Sequence, residues 1–127
     1  MRKTYLGSCH CGDVQFEVVA DIDSVRVCNC SICSMRGALI HRIGDKDLKL
    51  KTPLEGLRVY EWHTKTAKDY FCPNCGILPF RRPRSLADSE IAKGMKPFNG
   101  WAINVRCLKG IDFSAIPIIQ INGKDLD

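Results

Sequence analysis

Residues 101–107, Trp101-Ala102-Ile103-Asn104-Val105-Arg106-Cys107, alternate bulky apolar side chains with small or polar ones. A period of two belongs to a β-strand, whose successive side chains point to opposite faces. It places Trp101, Ile103, Val105 and Cys107 toward a core, and Ala102, Asn104 and Arg106 away from it. The same signal recurs upstream. Val14-Gln15-Phe16-Glu17-Val18 alternates, Ala38 to Ile43 is short and apolar-rich, and Leu57-Arg58-Val59-Tyr60-Glu61-Trp62 is rich in residues that suit a pleated surface. Between them lie Gly44-Asp45-Lys46-Asp47, Thr52-Pro53, Cys72-Pro73-Asn74-Cys75-Gly76 and Lys93-Gly94-Met95-Lys96-Pro97, all with turn chemistry. The longest segment without a strand signal runs from about Pro83 to Gly100, with one helical turn expected around Leu86 to Ile91. The pattern predicts a mainly antiparallel β domain.

The chain has 127 residues, 45% apolar and 26% charged, which fits a single globular domain over 1–127 and excludes a largely disordered chain or a coiled coil. No apolar run approaches the ~20 residues needed to cross a bilayer. Met1-Arg2-Lys3 leads into Thr4 and Tyr5 rather than into an apolar leader. A soluble, cytoplasmic protein with no membrane partner is expected. The 19 basic and 14 acidic residues leave a charge of +5, but only Arg81-Arg82-Pro83-Arg84 is a tight basic group, which argues against a nucleic-acid partner. Eight cysteines are the informative excess. A reducing cytosol would not keep them as disulfides, so metal binding is the leading explanation.

Seven of the eight fall into Cys9-x-Cys11, Cys28-x-Cys30-x-x-Cys33 and Cys72-x-x-Cys75. Structural zinc takes four ligands, whereas catalytic zinc takes three protein ligands and keeps a position open. Cys72-Pro73-Asn74-Cys75-Gly76 is a knuckle that aims two sulfurs at one ion, with Gly76 free to adopt the backbone angles of such a turn. Its other half must come from elsewhere, and Cys9 with Cys11 is the pair that leaves the triplet intact. The resulting staple would join the start of the chain to its middle, against a closure entropy that grows only logarithmically with loop length.

Cys28, Cys30 and Cys33 can wrap one ion from a single loop. A fourth ligand drawn from Cys107, His10, His41 or His63 would close that site and make it structural. Cys107 is the first of these to test, but its alternation puts it on the core face, and an open position is the preferred reading. Three thiolates weaken zinc as a Lewis acid relative to three histidines, so water activation is not the best use of such a site. An incoming thiol, bound as thiolate and ready to attack an electrophilic carbon, is. A zinc deaminase is set aside because no histidine has Glu two residues later before P-C-x-x-C. No H-E-x-x-H helix or phosphate-binding glycine loop is present either.

Four ordered motifs carry a family resemblance: Gly7-Ser8-Cys9-His10-Cys11-Gly12-Asp13-Val14, Cys28-Asn29-Cys30-Ser31-Ile32-Cys33 with Gly37-Ala38-Leu39, Tyr70-Phe71-Cys72-Pro73-Asn74-Cys75-Gly76, and Asn104-Val105-Arg106-Cys107-Leu108. They resemble the glutathione-dependent formaldehyde-activating enzyme family, which also includes centromere protein V. The resemblance implies a β-tent fold of folded-over antiparallel sheets. It implies a structural zinc on Cys9, Cys11, Cys72 and Cys75 and a catalytic one on Cys28, Cys30 and Cys33. The implied reaction joins glutathione and formaldehyde to make S-(hydroxymethyl)glutathione, classed with carbon–sulfur lyases by its reverse direction. The chain is shorter than the formaldehyde-activating enzyme itself and looks like the family core, a departure that bears on the elements recognising the peptide part of glutathione; the resemblance implies a glutathione-like thiol and a small carbonyl such as formaldehyde as substrates.

Other residues carry two readings each. Asn104 and Arg106 match the family's Asn-x-Arg and would orient substrate or brace the triplet loop, or form a sheet-surface pair. Arg81, Arg82 and Arg84 would meet the carboxylates of a glutathione-like molecule, or form a solvated basic turn. His10 and His41 would move a proton or ligate metal, or serve as hydrogen-bonded structural residues. A competing function for the whole chain is a non-catalytic module with two structural zincs that engages a macromolecule through its basic surface. A weaker one is a redox or metal-buffering protein.

Overall fold

The computed structural model describes residues 1–61 and 66–122. The strands are β1 (Lys3–Ser8), β2 (Gln15–Ala20), β3 (Val25–Cys28), β4 (Ile40–Gly44), β5 (Leu48–Leu50), β6 (Arg58–Tyr60), β7 (Lys68–Phe71), β8 (Phe80–Arg82), β9 (Gly100–Asn104) and β10 (Ile118–Ile121). Two short helices, α1 (Ser31–Arg36) and α2 (Asp88–Ala92), interrupt them. β1, β2 and β5 make a three-stranded sheet, and the other strands make a seven-stranded one in the order β10-β3-β4-β9-β8-β7-β6. All pairings are antiparallel except β10 with β3, where the C-terminal strand runs parallel to its neighbour. The mainly antiparallel β architecture expected from alternation, and the folded sheets that the resemblance implies, are therefore observed.

The core lies between the two sheets. Phe16 of β2 meets Phe80 of β8 edge-on, with ring centroids 5.3 Å apart, and Phe80 in turn meets Trp101 of β9 at 5.3 Å. Tyr70 of β7 closes the aromatic group against both Phe80 and Trp101. Phe16 and Val18 are buried and Gln15 is exposed, as the alternation of β2 requires.

Several boundaries differ from the expectation. The strand predicted over Trp101–Cys107 ends at Asn104, and Val105–Cys107 is a 3-10 turn. The cause is local: the Asn104 side chain accepts from the Arg106 backbone N–H at 3.2 Å and donates to the Leu78 carbonyl at 3.0 Å, turning the chain out of the sheet. Nor is the face of Ala102 open to solvent, since Ala102 is 1% exposed and the large sheet is covered on both sides there. The Leu57–Trp62 strand shortens to Arg58–Tyr60, and Trp62 lies outside the described residues. The helical turn expected near Leu86 to Ile91 is α2, where Glu90 reaches back to the Ala87 N–H at 2.9 Å.

Candidate functional site

Two turns from different sheets bring four cysteines together. Cys9 and Cys11 follow β1, in a bend where Cys9 N–H donates to the Val14 carbonyl at 3.1 Å and Val14 N–H donates to Cys9 Sγ at 3.3 Å. Cys72 and Cys75 follow β7, where Gly76 N–H donates to the Cys72 carbonyl at 2.9 Å and Cys75 N–H points at Cys72 Sγ at 3.5 Å. Gly76 has φ +78°, the left-handed conformation the knuckle demands and glycine permits. The four sulfurs lie within 4.8 Å of one another, with Cys9–Cys11 and Cys11–Cys72 both at 3.6 Å. Those separations are far beyond a disulfide's ~2.05 Å. They suit a tetrahedron with bonds of about 2.3 Å, whose edges are about 3.8 Å.

The quartet is prepared for a cation. The backbone N–H of Cys11, then that of Ile77, lower the Cys75 thiol to about 6, so it is a thiolate near neutral pH. Cys107 belongs beside this group: burial, then the proximity of Cys9 and Cys75, pushes its thiol up to about 11. It packs against the core, and it does not join the triplet.

The triplet is built from one strand end and one short helix. Cys28 ends β3, Cys30 stands at the N-cap of α1 and Cys33 lies inside that helix. Gly37, at φ +67°, ends α1 with its N–H on the Cys33 carbonyl at 3.0 Å, which closes the loop around the sulfurs. The three Sγ atoms lie within 4.8 Å of one another, and Cys30 is buried. Burial, followed by the Cys30 side chain and the charges of Cys30 and Cys28, pushes the Cys33 thiol up to about 12. Three sulfurs so placed repel as thiolates, and a divalent cation removes that penalty. Among the described residues no fourth cysteine, histidine or carboxylate joins them. His10 is exposed, and His41 Nδ1 lies 3.0 Å from the Ser24 carbonyl. His63 lies outside the described residues.

A buried ion group fixes the triplet to the large sheet. Arg36, the last residue of α1, pairs with Asp69 of β7 and approaches Cys33 Sγ at 3.9 Å. Arg81 of β8 donates from Nε to the other Asp69 oxygen at 2.7 Å. Asp69 is 3% exposed, the buried carboxylate among the described residues. Sequence reading did not single out Arg36 or Asp69. The available signal was a lone acid in Lys68-Asp69-Tyr70-Phe71, between residues suited to a strand.

The other basic-turn residues are also engaged. Arg82 lies over the Trp101 ring at 3.7 Å and reaches Asp45 at 2.5 Å, while Arg84 grips Glu90 through two bonds of 2.7 Å. Arg81 is thus paired with the buried Asp69, Arg82 with the exposed Asp45 and Arg84 with Glu90. Asn104 is used within its own turn, and Arg106 is exposed beside Phe113. An open cleft of about 620 Å³ near Arg82, Arg84 and Phe98 is lined by none of the cysteines.

The donor sets fit zinc: all-sulfur, tightly grouped, four in one place and three in the other. Residues 4–95 match the model of the glutathione-dependent formaldehyde-activating enzymes. The fold is similar to that of a Rhodobacter sphaeroides protein of known crystal structure, with 29% identity and a TM-score of 0.69, over 90% of this chain and 99% of that one. With the motifs, the folded sheets and the two sulfur clusters all in place, the chain belongs to the glutathione-dependent formaldehyde-activating enzyme family.

Proposed function

We propose that the protein is a cytoplasmic zinc enzyme of the carbon–sulfur lyase type, acting on a small glutathione-like thiol and a small carbonyl such as formaldehyde, in the manner of an S-(hydroxymethyl)glutathione synthase. The observation that supports this reading is the contrast between the clusters: among the described residues four sulfurs group in one place, enough to fill a tetrahedral sphere, and three in the other, which would leave one position open. Cys9, Cys11, Cys72 and Cys75 would hold a structural zinc, and Cys28, Cys30 and Cys33 a catalytic one. Zinc in the triplet would keep an incoming thiol as a thiolate at neutral pH.

The reaction needs little else. A bond forms between the thiol sulfur and the carbonyl carbon, the carbon–oxygen π bond breaks, and the oxygen takes up one proton in place of the one the thiol gave up. The reverse direction returns both reactants. The chain's contribution is to place the sulfur. Cys28 and α1 define the position, and the Arg36–Asp69–Arg81 group holds α1 against the sheet. Against the alternative of a macromolecule-binding module stands the pairing of Arg81 with Asp69, Arg82 with Asp45 and Arg84 with Glu90, which engages each arginine of the basic turn.

The test compares wild-type and Cys30→Ser protein, with metal content measured for each, in the exchange of formaldehyde and glutathione with S-(hydroxymethyl)glutathione by NMR. Wild type should exceed buffer and Cys30→Ser should return to it. Equal rates for protein and buffer would remove this activity.

A further inference from the structure

One face of the seven-stranded sheet carries more positive charge than the described residues neutralise. Paired residues of neighbouring strands share a face, as do alternate residues of one strand. The register sets Arg42 opposite Ala102, Ala102 opposite Arg81, and Arg81 opposite Asp69, while Arg26 lies opposite Ile40, two residues before Arg42. Arg26, Cys28, Arg42, Arg81 and Asp69 therefore stand on the same face. Asp69 is taken by Arg36 and Arg81. Among the described residues, neither Arg26 nor Arg42 has a carboxylate partner.

Arg26 is half-buried; Arg42 is exposed, with its guanidinium over the Phe98 ring at 4.9 Å. Partial desolvation, then the charges of Arg26 and Arg81, lower the Arg42 pKa, and Cys28 is near enough to act in the opposite sense. Like charges gathered without a counter-ion raise the energy of the empty site, and an anion placed between them relieves it. Cys28 follows Arg26 by two residues on the same strand, about 6.6 Å along it. That spacing matches a molecule whose sulfur and carboxylate are separated by a few bonds.

We propose that Arg26 and Arg42 form an anion subsite beside the sulfur triplet, and that it selects thiols carrying a carboxylate. The inference rests on reading Cys28, Cys30 and Cys33 as the thiol site. Arg26 and Arg42 are specificity residues here: forked donors that hold the substrate's charged end while its sulfur sits at the triplet.

Calorimetry on the zinc-loaded protein tests this with 3-mercaptopropionate, 2-mercaptoethanol and cysteamine, which are anionic, neutral and cationic. Wild type should bind 3-mercaptopropionate about tenfold more tightly than 2-mercaptoethanol, and cysteamine least, as charge-assisted hydrogen bonds require. In the Arg26→Gln/Arg42→Gln protein the preference should vanish while 2-mercaptoethanol binds as before. Equal binding of all three thiols by wild type, which needs no variant, would overturn the proposal. So would an undiminished preference in the double variant. If no thiol binds, the thiol-site reading fails, and succinate, which has no sulfur, decides the anion subsite separately. Succinate binding that disappears in the double variant upholds the arginine pair, and its absence in wild type overturns it.

Discussion

Asp69 neutralises two guanidiniums from opposite sides, one on α1 and one on β8, in a setting where the carboxylate is almost wholly shielded from water. Replacing it by Asn leaves Arg36 and Arg81 facing each other without a counter-ion. Removing one member of a buried ion group costs about 3 kcal/mol, and Asp69→Asn should lower stability by that order in urea denaturation. Because Arg36 ends the helix that carries Cys33, the same variant should release metal from the triplet sooner than from the quartet under a competing chelator. Simultaneous release would show that Asp69 acts on the fold alone. The triplet's pH response follows from Cys33. Burial holds its thiol up to about 12, so the empty site keeps this proton throughout the neutral range and must surrender it when metal enters. Zinc affinity at the triplet should therefore rise with pH, by about a decade per unit from this thiol alone. Chelator competition between mildly acidic and mildly alkaline pH measures the slope, and a flat response would contradict the protonated empty site.

Each sulfur cluster depends on a different kind of element. The quartet joins the turn after β1, in the small sheet, to the turn after β7, in the large one, so its metal would tie two sheets whose cysteines are 61 positions apart. Structural zinc contributes on the order of 10 kcal/mol, comparable to the whole stability of a small domain. Cys11→Ser should therefore abolish the cooperative thermal transition or move it far down. Cys33→Ser should lose one metal and keep the transition, because β3 and α1 hang on the sheet by pairing and by Arg36. Near-UV circular dichroism with metal analysis separates the two, and equal damage would contradict the division of labour. The knuckle at Cys72–Gly76 was legible in the sequence because its chemistry is confined to five neighbouring residues. The end of β9 was not, because Asn104 stops the strand through a bond to Leu78, which alternation cannot register.

For the molecule as a whole, the core is an aromatic bridge from Phe16 through Phe80 to Trp101, and Cys9 and Cys72 of the quartet are buried in the same apolar cluster. The strand period identified Trp101, Ile103 and Val105 as core residues because burial on one face leaves a regular trace in sequence. The membership of the two clusters was legible from spacing for the same reason that spacing works in any knuckle: short loops restrict where sulfurs can point. What spacing could not supply were contacts between distant strands. Asp69 with Arg36 and Arg81, Arg82 with Asp45, and the parallel pairing of β10 with β3 all depend on how the large sheet is ordered. Among the described residues no helix is long and apolar enough to cross a membrane. X-ray absorption of the zinc-loaded protein, recorded with and without glutathione, bears most directly on the incomplete triplet. Two zincs per chain should average between four sulfurs and three sulfurs plus one light atom, and glutathione should replace that light atom with sulfur. A spectrum of saturated, all-protein coordination that glutathione leaves unchanged would contradict the account.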